Sequence, residues 1–264
     1  MTWTTQPRSR FGQIAAITKG VGPKVLLIHG VGLRAEAWAA QTDTLAENCH
    51  VMAVDMPGHG ESARLPVDPQ AVGPHLAGYT DAIAATLDQP AVVIGHSFGA
   101  MIAMDMATRY PDKVRAVAAL NAIHQRDDAA KAAVNARAAS LDGMTIADPT
   151  ATLVRWFGSE PSAERDACRG WLREVDASGY QDAYRVFASQ DGPSEEALRN
   201  LHCPALFLTG ADEPNSTPEM SRRMAALAPR GQSEILAGAA HMLPMTHAAQ
   251  VNAILKHFIQ DKAK

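Results

Sequence analysis

Cysteine is scarce in this chain: Cys49, Cys168 and Cys203 are the only three among 264 residues. They are far apart and odd in number, so they build neither a disulfide framework nor a paired-cysteine zinc site. They read as small buried hydrophobes in a reducing compartment. An excess of charge of one sign is also missing. With 24 basic against 28 acidic residues and a net charge of −4, no basic face is implied, which argues against a nucleic-acid partner. No run approaches the ~18 consecutive apolar residues of a membrane-spanning helix, and the stretch MTWTTQPRSRFG has no apolar centre of a secretory signal. A cytoplasmic location with no membrane partner is therefore expected. Glycine and proline show no period, and 47% of residues are apolar, which excludes collagen-like and disordered classes. Aromatics make up only 5%, and where they fall matters below.

Short apolar runs punctuate the chain. Lys24–Ile28, Val51–Val54, Ala91–Ile94, Val114–Leu120 and Ala205–Thr209 are apolar at nearly every position and bounded by turn residues. Such runs suit strands buried on both faces of a parallel sheet. A shorter β-permissive stretch, Phe11–Thr18, precedes them. Between the runs, Ala35–Leu45, His75–Leu87 and Met101–Tyr110 carry apolar residues three and four apart, the spacing of helices. Strands alternating with helices predict an α/β fold, a doubly wound parallel sheet with helices on both faces. Ligands of such sheets sit beyond the carboxyl ends of the strands. His29, Asp55, His96, Ser97 and Asp212 all fall at such ends.

The alternation stops between about Ile123 and Leu201. Helical spacing continues there without a β-run, over Ala129–Leu141, Thr152–Phe157, Ala163–Val175 and Tyr180–Ser189. The expected organisation is one core, residues 1–123 and 196–264, carrying an inserted helical cap at 124–195.

Gly95-His96-Ser97-Phe98-Gly99 lies directly after a buried run and directly before a helical one. A serine at the apex of so tight a turn needs small residues two positions to either side, and its hydroxyl then stands at the positive end of the next helix. Composition alone predicts only ~0.06 such pentapeptides in a chain of this size, so the match carries information. A nucleophilic serine needs a base. His241, in Gly238-Ala-Ala-His241-Met242, follows the last strand-like run, Glu234–Leu236, on a loop at the same sheet edge. His96 points away from the turn, His29 braces its own loop, and His247 begins a helix. The imidazole in turn needs a carboxylate to set its tautomer. Asp212 follows the strand ending at Thr209 and completes the order Ser97, Asp212, His241; Glu213 beside it is the competitor. An oxyanion would be held by the Phe98 amide and by an amide of the loop after Gly30, with Val31 as the choice and Gly32 as the alternative.

With these pieces in view the chain resembles the α/β-hydrolase superfamily. Leu27-Ile-His29-Gly30-Val-Gly32, Asp55-Met-Pro57-Gly58-His59-Gly60-Glu-Ser62, Gly95-His-Ser97-Phe-Gly99, Thr209-Gly-Ala-Asp212 and Gly238-Ala-Ala-His241-Met carry the likeness, which runs from about residue 10 to the end apart from the insertion. It is most similar to the small esterases and the 3-oxoadipate enol-lactonase-like branch. The resemblance implies eight strands with a cap after the sixth, Ser97, Asp212 and His241 as the catalytic triad, and Val31 and Phe98 as the oxyanion hole. Serine in place of aspartate at the nucleophile position disfavours dehalogenase and epoxide hydrolase chemistry. The loop after His29 lacks the HGGG run of one lipase group.

The segment 124–195 holds Trp156, Phe157, Trp171, Tyr180, Tyr184 and Phe187, six of the 14 aromatic residues. Helices lying over strand ends face the serine, so some of these rings should wall the pocket; Trp156, Tyr184 and Met242 are the candidate substrate contacts. The arginines of this segment, Arg126, Arg137 and Arg155 among them, are expected to be solvated, with a carboxylate-binding one left open. The expected activity is serine hydrolysis of a small carboxylic ester or lactone, with no cofactor and no metal. The same triad could instead serve C–C bond hydrolysis, amide hydrolysis, or peroxidase or lyase chemistry. A receptor-like protein that binds a ligand with little turnover is the alternative of another class. Self-association is left open.

Overall fold

The computed structural model describes residues 3–66 and 73–262. Its centre is an eight-stranded sheet. A hairpin of β1 (Ser9–Phe11) and β2 (Ile14–Lys19) leads into β3 (Lys24–Ile28), α1 (Ala39–Leu45) and β4 (His50–Val54). Then come α2 (Leu76–Ala84), β5 (Ala91–His96), α3 (Phe98–Arg109) and β6 (Val114–Leu120). After a helical insertion the chain returns through β7 (Ala205–Gly210) and β8 (Gly231–Leu236). The strand order is β1-β2-β4-β3-β5-β6-β7-β8. β1, β2 and β4 pair antiparallel in succession, and every later pairing is parallel. The fold is thus an α/β-hydrolase fold with a mostly parallel sheet.

The continuous apolar runs are explained by burial on two sides. Along β3, Leu26 and Ile28 enter one core layer while Val25 and Leu27 enter the other. β4, β5 and β7 split the same way: Met52 and Val54 against Val51 and Ala53, Val93 against Val92 and Ile94, Phe207 against Leu206 and Leu208. Period two is present, but both phases are apolar, so no alternation is visible in the sequence.

The amino-terminal stretch begins earlier than expected and is a hairpin rather than one strand. Its turn is made at Gly12, in the left-handed region with φ 61°. The helix expected over Ala35–Leu45 is also divided, into a 3-10 turn at Ala35–Trp38 followed by α1. Its first turn is pinned, because the Ala35 amide donates to Asp55 Oδ1 and the Glu36 carboxylate is taken up by Arg8.

The insertion between β6 and β7 consists of α4 (Asp128–Ala139), α5 (Thr150–Phe157), α6 (Ala163–Glu174), α7 (Ala177–Ser189) and α8 (Glu195–Arg199), and α9 (Pro218–Leu227) lies between β7 and β8. The chain closes with α10 (Leu243–Thr246) and α11 (Ala248–Lys262). The two crossings into the insertion are tied side by side. Gln125 N–H donates to Asp191 O at 2.9 Å, Arg126 N–H donates to Asp191 Oδ1 at 2.8 Å, and His124 Nδ1 lies 3.2 Å from Pro193 O. Beyond this neck α8 rejoins the main core through Leu198. A separate apolar cluster, including Leu33, Leu153, Trp156, Trp171, Leu172 and Met242, binds the cap helices to the loops at the strand ends. Among the described residues no helix is long and apolar enough to cross a membrane.

Candidate active site

Ser97 joins β5 to α3 at φ 57° and ψ −119°, a region that costs a non-glycine residue on the order of 1–3 kcal/mol. The strain is held from both sides. Ser97 N–H donates to Leu120 O on β6 at 2.9 Å, and Ser97 O accepts from Ala100 N–H at 2.9 Å. A Cβ at Gly95 would collide with the Gly99 carbonyl, and one at Gly99 with the Ile28 and His29 carbonyls. The flanking glycines are therefore required by close backbone approach, as the pentapeptide spacing implies.

The loop after β3 folds against this turn. A Cβ on Gly30 would stand 3.1 Å from Ser97 Cβ. Within the loop, Gly32 N–H donates to His59 Nε2 at 3.0 Å, so that amide is engaged. Val31 N–H and Phe98 N–H donate to no protein acceptor among the described residues. Phe98 N–H is moreover a first-turn amide at the positive end of α3. Of the two amides considered for the loop, Val31 is the free one. His59 is fully buried; burial, with His29 nearby, pulls its ring down to about 3. It is thus neutral, with Nδ1–H donating to Pro57 O at 3.2 Å and Nε2 accepting. His29 braces the same region, accepting Met56 N–H at Nε2 and donating from Nδ1 to Gly30 O at 2.8 Å.

His241 sits on the loop after β8 and shares with Ser97 a cavity of about 310 Å³. Its Nδ1 lies 2.7 Å from Glu213 Oε2. This corrects the expected acid: Asp212 stays exposed, and Glu213 is the buried residue. The loop decides between them. Asp212 N–H is bonded to Ala239 O at 2.9 Å and Glu213 N–H to Gly210 O at 3.3 Å, and this turn sends side chain 212 outward and 213 inward. The Glu213 carboxylate also accepts the Asn215 and Ser216 amides at Oε1. Burial pushes its carboxyl up, but His241 and those amides outweigh burial and hold it at about 2. It is an anion across the neutral range.

The His241 backbone is fixed as well. Its carbonyl accepts Asn121 Nδ2 at 2.6 Å and His96 Nε2 at 2.8 Å. Asn121, just past β6 at φ 49°, also accepts Gly210 N–H at 3.3 Å, so it ties the loops after β7 and β8 together. Its position past a strand end is the only sign of it in the sequence. His96 is not among the residues lining the cavity; burial first, then His241, lowers it to about 3.

The cap supplies the roof. Trp156 stacks on His241 with ring centres 5.4 Å apart and planes at 23°, and Trp156, Tyr184 and Phe187 line the cavity. Met242 does not; it is buried in the apolar cluster with Leu33 and Trp156, because the chain turns there and only His241 faces the cavity. Arg126 is another correction: it is buried rather than solvated, with 4% of its surface exposed. Among the described residues no group of three or more His, Cys, Asp or Glu side chains is placed to hold a metal ion.

A strained serine and a carboxylate-held histidine thus share one cavity at the carboxyl edge of a doubly covered parallel sheet. The alpha/beta hydrolase family pattern matches residues 25–254. The chain belongs to the alpha/beta hydrolase family. It is 37% identical over 248 residues to an (E)-2-((N-methylformamido)methylene)succinate hydrolase of Acinetobacter baylyi, covering 92% of each chain. It is 33% identical over 204 residues to a pimeloyl-[acyl-carrier protein] methyl ester esterase of Chromobacterium violaceum, covering 74% of this chain and 77% of that one. Among solved structures, a thermophilic esterase from Thermogutta terrifontis superposes with a TM-score of 0.83 at 23% identity, over 95% of this chain and 94% of the other.

Proposed function

We propose that this chain is a serine acyl hydrolase working through Ser97, His241 and Glu213, with the Val31 and Phe98 amides as the oxyanion hole. The carrying observation is the 2.7 Å contact between His241 Nδ1 and the buried Glu213 carboxylate in the same cavity as the strained Ser97. Glu213 keeps the proton on Nδ1, so Nε2 is the basic nitrogen. Nε2 takes the Ser97 proton as Oγ forms a bond to the substrate carbonyl carbon. The carbonyl oxygen gains the negative charge and is met by the two amide donors. As the intermediate collapses, the leaving alkoxide or amine takes the proton from His241 and an acyl-serine remains. A water deprotonated by His241 then attacks the acyl carbon, and Ser97 leaves with its proton restored.

The bond cleaved is a carboxylic ester, lactone or activated amide. The methyl ester esterase supports the ester, and the Acinetobacter relative, whose name carries a formamido group, supports the amide. The Trp156 ring over His241 keeps bulk water from the base. The test is hydrolysis of p-nitrophenyl acetate by the wild type and Ser97→Ala. The reading expects release by the wild type and none above buffer from the variant with an unchanged melting temperature. Equal rates would overturn it.

A further inference from the structure

Three cations line the cavity that holds Ser97. Arg126, Arg137 and Arg155, from the neck, α4 and α5, all line it. Among the described residues the buried Arg126 guanidinium hydrogen bonds only to carbonyl oxygens, Gln190 O at 2.5 Å and Phe187 O at 3.4 Å, with the Phe187 ring 4.5 Å away from its guanidinium carbon. Its nearest carboxylate, Asp191, is 3.9 Å off and closer to Lys131, at 3.1 Å. Burial of a guanidinium with so distant a counter-ion is unfavourable unless another anion arrives. Among the described residues Arg137 and Arg155 have no carboxylate within 4.0 Å. All three act on one hydroxyl: burial and then Tyr180 raise Tyr184, and Arg155, Arg137 and Arg126 pull against them.

The acidic groups nearby are already committed. Asp148 accepts the Thr150 amide and hydroxyl at the start of α5, and Glu213 is occupied by His241. Ser216 is a buried residue of the cavity lining, and among the described residues its Oγ has no hydrogen-bond partner. A positively charged wall without committed carboxylates matches an anionic ligand, and the planar guanidinium matches a carboxylate.

We propose that this wall is a substrate subsite for a dicarboxylate, with Arg137 and Arg155 each free for one carboxylate and buried Arg126 supplying the field behind them. The inference rests on the cavity being the reaction site and names the substrate class: a short acyl compound, amide or ester, carrying two free carboxylates. The cationic wall then holds those groups while the scissile carbonyl lies at Ser97.

The test uses succinate, butyrate, dimethyl succinate and inorganic sulfate as probes. Calorimetry on the wild type and on Ser97→Ala should show succinate binding at least tenfold tighter than butyrate or sulfate, and dimethyl succinate, titrated only into Ser97→Ala so that ester hydrolysis gives no signal, should show no heat. Arg137→Gln and Arg155→Gln, both at partly or fully exposed positions, should each weaken succinate at least tenfold, and Arg→Lys at the same positions should recover part of the loss. Sulfate binding as tightly as succinate, or succinate binding unchanged in both Gln variants, overturns the subsite. Because Ser97→Ala is read by binding alone, failure of the hydrolase reading leaves this result intact. Conversely, ester turnover without succinate binding would overturn the subsite and leave the hydrolase reading standing.

Discussion

His241 Nδ1 and Glu213 Oε2 are 2.7 Å apart, and the Glu213 side chain is wholly buried while Asp212, one residue earlier, stands in solvent. The adjacent carboxylates therefore have opposite fates. Glu213→Gln should lower kcat for p-nitrophenyl acetate by roughly three to four orders of magnitude, since an amide favours the wrong imidazole tautomer. Asp212→Asn should change it by no more than about twofold, as an exposed substitution. Steady-state kinetics of the two variants side by side decide the assignment; the reverse ranking would restore Asp212.

The loop proposed to hold the oxyanion hangs on a neutral histidine. His59 Nε2 accepts Gly32 N–H, which orients the Val31 amide next to it. His59→Leu removes the acceptor and should lower kcat about tenfold to a hundredfold, the scale of a misplacement near 1 Å, with KM little changed. His59→Gln, which keeps an acceptor, should recover part of the loss. A drop carried by KM alone would contradict this role.

Gly99 reverses the usual sign of a glycine-to-alanine change. It lies inside α3, where propensity alone predicts a gain of up to about 1 kcal/mol. A Cβ there meets the Ile28 and His29 carbonyl oxygens of the neighbouring strand end. Gly99→Ala should therefore destabilise, by about 3 kcal/mol. Urea denaturation of the purified variant measures it, and a higher midpoint would refute the packing argument.

Acid stability carries the mark of Glu213. Its folded carboxyl is lowered from 4.5 to about 2, so the folded state holds the proton more weakly than the unfolded chain does. The stabilisation is complete above about 4.5 and is lost as the pH falls toward 2, an effect of up to about 3 kcal/mol. Denaturation midpoints between pH 5 and pH 3 should fall more steeply for the wild type than for Glu213→Gln. Arg8, Glu36 and Asp55 form another buried ionic group, but it is common to both proteins, so the difference in slope belongs to Glu213. Parallel slopes would contradict the assignment.

The core strands were legible because burial on both faces leaves nearly unbroken apolar runs, as at Val25–Ile28. Ser97 was legible because the steric demands of its turn are local and fall on Gly95 and Gly99. The carboxylate was not, because the choice between residues 212 and 213 is made by backbone bonds to Ala239 and Gly210, distant in sequence or invisible in it. Arg126 looks like any cap arginine until the neck closes around it through Asp191 and Gln190. The Gly12 turn was hidden for a different reason: β1 is only three residues long and two of the three are exposed. That Tyr184 and Trp156 line the cavity follows from helices lying over the strand ends, whereas Met242 shows that a neighbour of His241 can point into packing instead.

Reaction with a fluorophosphonate, followed by intact mass and peptide mapping, tests the central claim most directly. An unactivated serine does not react with such a reagent, whereas Ser97 activated by His241 and Glu213, as proposed, should. The account predicts one adduct on the wild type, mapped to Ser97, none on Ser97→Ala, and strongly slowed labelling of Glu213→Gln. Absence of labelling on the wild type, or an adduct on any other residue, would contradict it.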